Sequence, residues 1–433
     1  MRIDVHHLTR VEGHGNIVVE IDEGGHLARC SLEIVEAPRF FEVLLCGRPY
    51  SQATHIASRI CGICAVTHAT TSLLAVEKAL AVTISNQTKR LRKINLLAEI
   101  LDSHILHAYM LVAPDLLGAP SVIPLARSHR EVVLRALRMK KLAGDLCAAI
   151  GGRHTHPVSM LVGGFSHLPS LDELESLRAR FEQMTTDVDD TVELFQALRL
   201  PAFERETEYL ALHREDDYAF MGGEIISSDG GRWSPESYPE ATNEFMVPHS
   251  TAKHARHRRE SYMVGALARF NLNHTQLHPR AQSAASALNL RAPCTNPYMN
   301  TVAQIVEIAH CTEKIKALLD EILQEGIHAE PPVASSTSSG EGVGASEAPR
   351  GTLYHHYRIE DGIITWANCI IPTNQNLANI EADMRSLVPM RLERKPAELR
   401  LDLEMLVRAY DPCISCSTHL VDLRYPRSKG QRS

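Results

Sequence analysis

Arg59-Ile60-Cys61-Gly62-Ile63-Cys64-Ala65-Val66-Thr67-His68 and, near the other end of the chain, Asp411-Pro412-Cys413-Ile414-Ser415-Cys416-Ser417-Thr418-His419 are two CxxC pairs, each followed by a histidine. In a CxxC the two sulfurs can converge on one ion. Four thiolates make a soft site suited to zinc, iron–sulfur or nickel, whereas magnesium or calcium would want oxygen. On the cysteines alone a structural zinc site with four cysteine ligands is the leading reading. Two features pull away from it. The pairs lie near opposite ends of the chain, whereas zinc ribbons close within a few dozen residues, so this site would tie the whole fold together. The pairs also carry polar neighbours, Arg59, His68, Asp411 and His419, of the kind that orient ligands and move protons. A thioredoxin-like role for either pair fits less well, because no βαβ pattern surrounds it.

Working outward, Gly15–Ile21, the turn Asp22-Glu23-Gly24-Gly25 and the partly alternating 27–35 read as a β-hairpin. From about residue 66 the period becomes helical. Leu91, Ile94, Leu97, Leu101, Ile105 and Leu106 form a stripe, and further helices are expected near 128–150, 171–198, 258–270 and 299–324. Residues 201–250 mix Pro, Gly, Asp and Trp without a period and read as irregular, a candidate boundary between two lobes. The segment from Glu330 to Gly340 has linker composition, and strand-like runs follow at 352–359 and 362–371. The architecture expected is a helix-dominated α+β protein with a central long-helix bundle, small peripheral sheets and chain ends that meet near the cysteines.

A formal charge of -7 and 22% charged residues exclude the basic surface a nucleic-acid binder needs. The basic runs Lys89-Arg90-Leu91-Arg92-Lys93 and 253–259 read as solvated helix faces. No uninterrupted apolar run reaches the ~18 residues of a membrane span, and the N-terminus lacks a secretory apolar segment, so a cytoplasmic protein is expected. Ten cysteines in 433 residues are too sparse for a disulfide scaffold, which leaves thiols available to metals.

The 59–64 and 411–419 stretches resemble the RxCxxC and DPCxxCxxH signatures of the nickel-iron hydrogenase large subunit. Further matches are Arg10-Val11-Glu12-Gly13-His14, Pro38-Arg39-Phe40-Phe41-Glu42, Glu347-Ala348-Pro349-Arg350-Gly351 and Ile371-Pro372-Thr373. They follow the family's order across residues 10–419, and that ordered set is far more specific than a lone CxxC. The resemblance implies a nickel held by four sulfurs, Cys61 and Cys413 terminal, Cys64 and Cys416 bridging to an iron that carries CO and CN ligands. A glutamate near an N-terminus is ordinarily a solvated surface residue. Here the resemblance makes Glu12 the relay that takes a proton from Cys413 when H2 is split heterolytically. Arg350, otherwise a surface cation, would stand over the open metal position or bond a cyanide, next to Pro349 and Asp411. Thr373 would donate to another cyanide and His68 to a bridging sulfur. Glu42, the main-chain carbonyl of Cys369 and His419 would hold a magnesium. Where many members place an aspartate over the metals, this chain aligns Ser103, with Asp102 adjacent.

The segment 420–433, four basic residues against one acid, reads alone as a basic tail. The resemblance makes it an extension removed by a maturation endopeptidase after nickel-insertion proteins have loaded a 1–419 domain. Cys30, Cys46, Cys147, Cys294, Cys311 and Cys369 are not spaced as a ferredoxin motif, and no full nucleotide fingerprint occurs. No iron-sulfur cluster or nucleotide is therefore expected in this chain. Electrons would leave through an iron-sulfur small subunit. The 351–357 and 372–376 runs look most like cytosolic bidirectional types with diaphorase-type subunits serving NAD(P) or another soluble carrier. An H2-sensing relative without turnover and a structural zinc protein stand as alternatives.

Overall fold

Alternating apolar residues close the expected hairpin: β2 (Gly15–Ile21) pairs antiparallel with β3 (Leu27–Ile34), and β1 (Arg2–Val5) adds to the far side of β2. Ile17, Val19, Leu32 and Ile34 are buried by the pattern that predicted them. The computed structural model describes residues 2–418, so His419 and the segment 420–433 lie outside the described residues.

After the short helix α1 (Phe41–Leu45) come α2 (Ala65–Ala79) and α3 (Asn86–Ile105). The Ser85 hydroxyl caps α3 by accepting from the Thr88 N–H at 3.0 Å. Leu91, Ile94, Leu97, Leu101 and Ile105 are buried as the stripe requires, but so are Arg92, Asn95, Leu96, Ala98 and Ile100. The helix is surrounded rather than amphipathic. The solvated reading of the 89–93 run fails at Arg92, which is fully buried and forks onto Glu77 of α2 at 2.7 and 2.8 Å. A π-helical turn, Leu106–Val112, continues α3 to Leu116. The span Asn86–Leu116 is long and apolar enough by length and composition to cross a membrane, yet 83% of its apolar window is buried inside the protein. It is the core helix. Around it lie α4 (Arg130–Gly151), α5 (Leu171–Ala197) and, beyond the short α6 (Ala266–Asn273), α7 (Asn300–Glu325). α3 packs on α4 and α7, and α5 on both of these. The helix-dominated α+β expectation holds.

Two departures are instructive. Within 201–250, read as irregular, β4 (Glu208–His213) forms a sheet with Glu224–Ser227, Arg232–Trp233 and the parallel Tyr262–Met263. β5 (Asn243–Phe245) pairs with β6 (His254–Arg256). These strands of two to six residues are too short to show a period. The 253–259 run is accordingly not a helix face, and helix begins only at Ala266. The second departure is β7 (Gly340–Ala348), which starts inside the supposed linker and pairs with β8 (Gly351–Glu360), itself paired with β9 (Ile363–Ile370). Its glycines concealed it. Gly340, Gly342 and Gly344 face α2 so closely that an added Cβ would lie 2.0, 2.3 and 2.2 Å from the carbonyl oxygens of Ala79, Ala75 and Thr71. Two strand residues advance ~6.7 Å and four helix residues ~6 Å, so the two repeats stay in step. Finally α8 (Pro372–Leu387) follows β9, and α9 (Pro396–Ala409) leads to the second cysteine pair.

Because the carbonyls of α2 cannot yield, Gly344→Val should destabilise the protein by about 1–3 kcal/mol or more, the cost of overpacking. Denaturant melts of the variant against the parent check this, and an unchanged midpoint would contradict the close approach.

Candidate metal centre

Cys61 follows the tight turn Ser58–Ile60 and Cys64 sits at the start of α2, whereas Cys413 follows α9 and Cys416 lies in the single helical turn Ile414–Ser417. Two devices bring these loops together. Glu12 and Cys413 form a parallel bridge in which the Ile414 N–H donates to the Glu12 carbonyl at 2.9 Å, and the Ser415 N–H donates to the Glu12 carboxylate at 3.0 Å. The neighbouring Gly13, at φ 85°, leaves no room for a side chain, since a Cβ would meet that of Ile414 at 2.7 Å. The second device is Arg39. Its guanidinium donates to the carbonyls of Ile60 (2.8 Å), Arg59 (2.9 Å) and Ser415 (3.3 Å), and its own N–H to Thr418 (2.7 Å). One side chain thus fastens both cysteine loops. The Arg59 side chain is exposed and contributes only its main chain here.

All four sulfurs are buried and lie within 4.8 Å of one another. Cys61 and Cys413 are 3.4 Å apart, Cys64 and Cys416 3.6 Å, Cys413 and Cys416 2.6 Å. Hydrogen bonds from Cys413, Cys416 and Cys64 pull the Cys61 thiol well below its ordinary value, while burial pushes Cys413 and Cys416 well above theirs. Burial of this kind favours the neutral thiol. A soft cation is what would stabilise all four as thiolates, and the donor set fits nickel and iron.

A small cavity beside the sulfurs is lined by Ala348, Pro349, Leu353, Ile371 and Pro372, with Arg350, Thr373 and His68 as its polar wall. Arg350 is buried. It donates to Asp411 at 2.8 Å and Ser103 at 3.3 Å, and its Nε–H has no hydrogen-bond partner among the described residues. Burial opposes its charge, but Asp411 and then the cysteines outweigh that and keep it protonated. The Thr373 hydroxyl accepts from the Cys413 N–H at 2.9 Å, which leaves its own proton to donate. Ser103 stands at Arg350, while Asp102 turns away to Lys140 at 2.6 Å. Glu42 is buried rather than on a helix surface and accepts from the Cys369 N–H at 2.7 Å. Its expected companion His419 lies outside the described residues.

Residues 39–125 and 233–419 match the family described as nickel-dependent hydrogenase, and residues 2–37 match a HoxL-like family. The chain belongs to the nickel-dependent hydrogenases. It is 35% identical to the sulfhydrogenase 1 alpha subunit of Pyrococcus furiosus, across 97% of this chain and 98% of that subunit. It is 28% identical to the beta subunit of the NAD-reducing hydrogenase HoxS of Cupriavidus necator, across 95% and 93%. Among solved structures, an NAD+-reducing [NiFe]-hydrogenase in the H2-reduced state superposes with a TM-score of 0.87 at 28% identity, over 97% of this chain and 99% of that one. This protein is thus a nickel-iron hydrogenase large, catalytic subunit acting on H2, with its four-cysteine cluster as the metal centre, and the zinc reading gives way.

Sequence reasoning missed much of the hydrogenase's supporting structure. Arg269, fully buried on α6, forks onto Glu307 of α7 at 2.7 Å twice, reaches Glu347 at 2.9 Å, and donates to the carbonyls of Ala348 and Pro349. It holds the strand end that presents Arg350. His104 of α3 also meets Glu307, at 2.7 Å. Burial opposes the Glu307 charge, but Arg269 and His104 hold this carboxyl down at about 2. A lone Arg or Glu inside an apolar helical run, as at 266–270 and 302–309, was the available clue. His68 continues into a relay that joins the first cysteine motif to the 351–357 run: its Nδ1 lies 3.0 Å from His355, which meets Tyr357, whose hydroxyl reaches Ser72. Buried Glu99 accepts from the Val66 and Thr67 N–H groups at the start of α2, and burial pushes it up to about 8.

Arg269→Met should cost about 3–5 kcal/mol, because it leaves Glu307 and Glu347 buried without their cation. The Glu307 depression also fixes a pH dependence. Its contribution is complete above the ordinary carboxylate value near 4.5 and is lost as pH falls through about 2. Acid unfolding curves should therefore fall less steeply over that window in Glu307→Gln than in the parent, and equal slopes would refute the assignment.

Proposed function

We propose that this subunit performs H2 ⇌ 2H+ + 2e− at the four sulfurs, passes the electrons to an iron-sulfur small subunit, and serves NAD(P) or a related soluble carrier through further diaphorase-type subunits. The observation that carries the reading is the buried convergence of the two distant cysteine pairs beside a cavity walled by Arg350 and Thr373. The carrier rests on the relatives, which are named as NAD-reducing or sulfhydrogenase subunits.

What a bound nickel-iron group supplies is Lewis acidity toward H2 and a place for its two electrons. Cys61, Cys64, Cys413 and Cys416 would hold the nickel, with Cys64 and Cys416 also holding the iron. Thr373, whose hydroxyl proton is left to donate, and Arg350, with its unpartnered Nε–H, would donate to the iron's cyanides in an otherwise apolar cavity. Arg350 also polarises the approach side, held there by Asp411. His68, in the cavity wall with Cys64 and Cys416, would donate to a cysteine sulfur of that group. Glu12, the ladder partner of Cys413 and half-buried, takes the proton from that sulfur and passes it outward. Glu42, which accepts from the Cys369 N–H, would hold a magnesium together with the Cys369 carbonyl and His419. Exposed Phe40, Val43 and Leu44, next in sequence to Arg39, give an apolar face beside the centre for the small subunit. Removal of 420–433 by an endopeptidase after nickel insertion completes the site.

Infrared spectra of the purified complex should show intrinsic bands in the CO and CN stretching region, and a metal-loaded sample without them would overturn the reading. Glu12→Gln should keep full nickel and iron content while H2/D+ exchange drops by about 100-fold or more, the share that general acid–base transfer contributes. Unimpaired exchange would remove Glu12 from the proton path.

A further inference from the structure

We infer a second, separate metal site, for zinc or a similar borderline divalent cation, built by His249, His254 and Glu381. None of the three lies in a motif of the nickel-iron centre. Their ligand atoms fall within 4.8 Å of one another. His249 Nε2 is 2.7 Å from Glu381 Oε1, and His254 Nε2 is 3.7 Å from the same oxygen, beyond hydrogen-bond reach.

His254 carries the inference. It is 2% exposed, on β6, and neither ring nitrogen has a hydrogen-bond partner among the described residues. A buried imidazole with no hydrogen bond, only an ion contact of 3.7 Å to Glu381, is costly, and buried polar groups of this kind are nearly always hydrogen-bonded. A cation between His254 Nε2 and the Glu381 carboxylate would supply the partner that hydrogen bonding does not. Two imidazoles and a carboxylate are the donor set of many zinc sites, with bonds of ~2.0–2.2 Å and hence edges of ~3.4 Å between donors. The two separations of 2.7 and 3.7 Å bracket that edge, so binding requires shifts of less than 1 Å.

The surroundings are arranged as outer support for such a site. Glu381, on α8, is held by the Leu32 N–H of β3 at 3.0 Å on Oε1 and by Arg385 at 2.7 Å on Oε2. Both interactions fix the carboxylate plane, as partners of metal-bound carboxylates do. The His249 side chain is 23% exposed, which leaves an entry path and a fourth position for water. The cation would fasten the loop between β5 and β6 and the strand β6 to the helix α8, whose first turn carries Thr373. Eight residues separate Thr373 from Glu381, ~12 Å along the helix, so the two metal sites are distinct.

The test uses the purified nickel-loaded complex, in which the four cysteines are already engaged. After incubation with zinc and gel filtration, elemental analysis should find one zinc per large subunit beyond nickel and iron. His254→Ala and, as a milder change at the half-buried position, His249→Gln should each lose that zinc and keep nickel and iron. With cobalt as probe the parent should show visible d–d absorption without a sulfur-to-cobalt charge-transfer band, and chelation should lower the melting temperature of the parent but not of the variants. No additional zinc in the parent, full zinc retention in His249→Gln, or a sulfur charge-transfer band with cobalt would each overturn the proposal.

Discussion

The guanidinium of Arg39 sits where the two ends of the chain must be closed onto each other. Neither cysteine pair is a metal site alone, and the loop between them spans most of the protein, so their meeting has to be enforced by contacts that act on the loops themselves. Arg39 does this with main-chain partners on both sides, Arg59 and Ile60 before the first pair and Ser415 within the second. Carbonyl partners suit the task because they are tied rigidly to the Cα positions that set each sulfur. The Glu12–Cys413 bridge adds a ladder contact from the N-terminal sheet, so three remote segments share one small volume.

Around that closure the protein spends buried charge freely. Arg92 on Glu77, Arg269 on Glu307 and Glu347, Arg350 on Asp411 and Arg408 on Asp115 each join two different elements. Such pairs add little stability over apolar packing, but they fix orientation, and a site that needs several side chains around one small cavity needs orientation more than bulk. The fork geometry of arginine makes it the natural choice.

The cysteine pairs are legible in the sequence because a CxxC is short and its chemistry local, whereas Glu12, Glu42, Arg350 and Thr373 read alone as ordinary residues and stand out only through the resemblance of their motifs to the hydrogenase family. The hairpin and long helices were legible through period. What stayed hidden depends on partners that no local pattern names. From the sequence Arg92 reads as solvated because nothing local names Glu77 as its partner, and the 253–259 run reads as a helix face although His254 is buried on a strand. Arg59 reads as a polar neighbour of the cysteines, yet its side chain is exposed and only its carbonyl is used. Strands of two to four residues between 224 and 263 carry too few alternations to be read at all.

The glycine face of β7 reaches the centre by another route. Side-chain packing is compressible at its margins: a methyl rotates, a methionine finds another rotamer, and an error of a few tenths of an ångström is absorbed. Where Gly340, Gly342 and Gly344 lie on the carbonyls of α2, no such cushion exists. α2 begins at Cys64, and β7 runs into Pro349 and Arg350. The spacing between a metal-binding sulfur and the cation beside it is thus gauged by covalent backbone dimensions, a ruler that substitutions elsewhere in the core can neither stretch nor shorten.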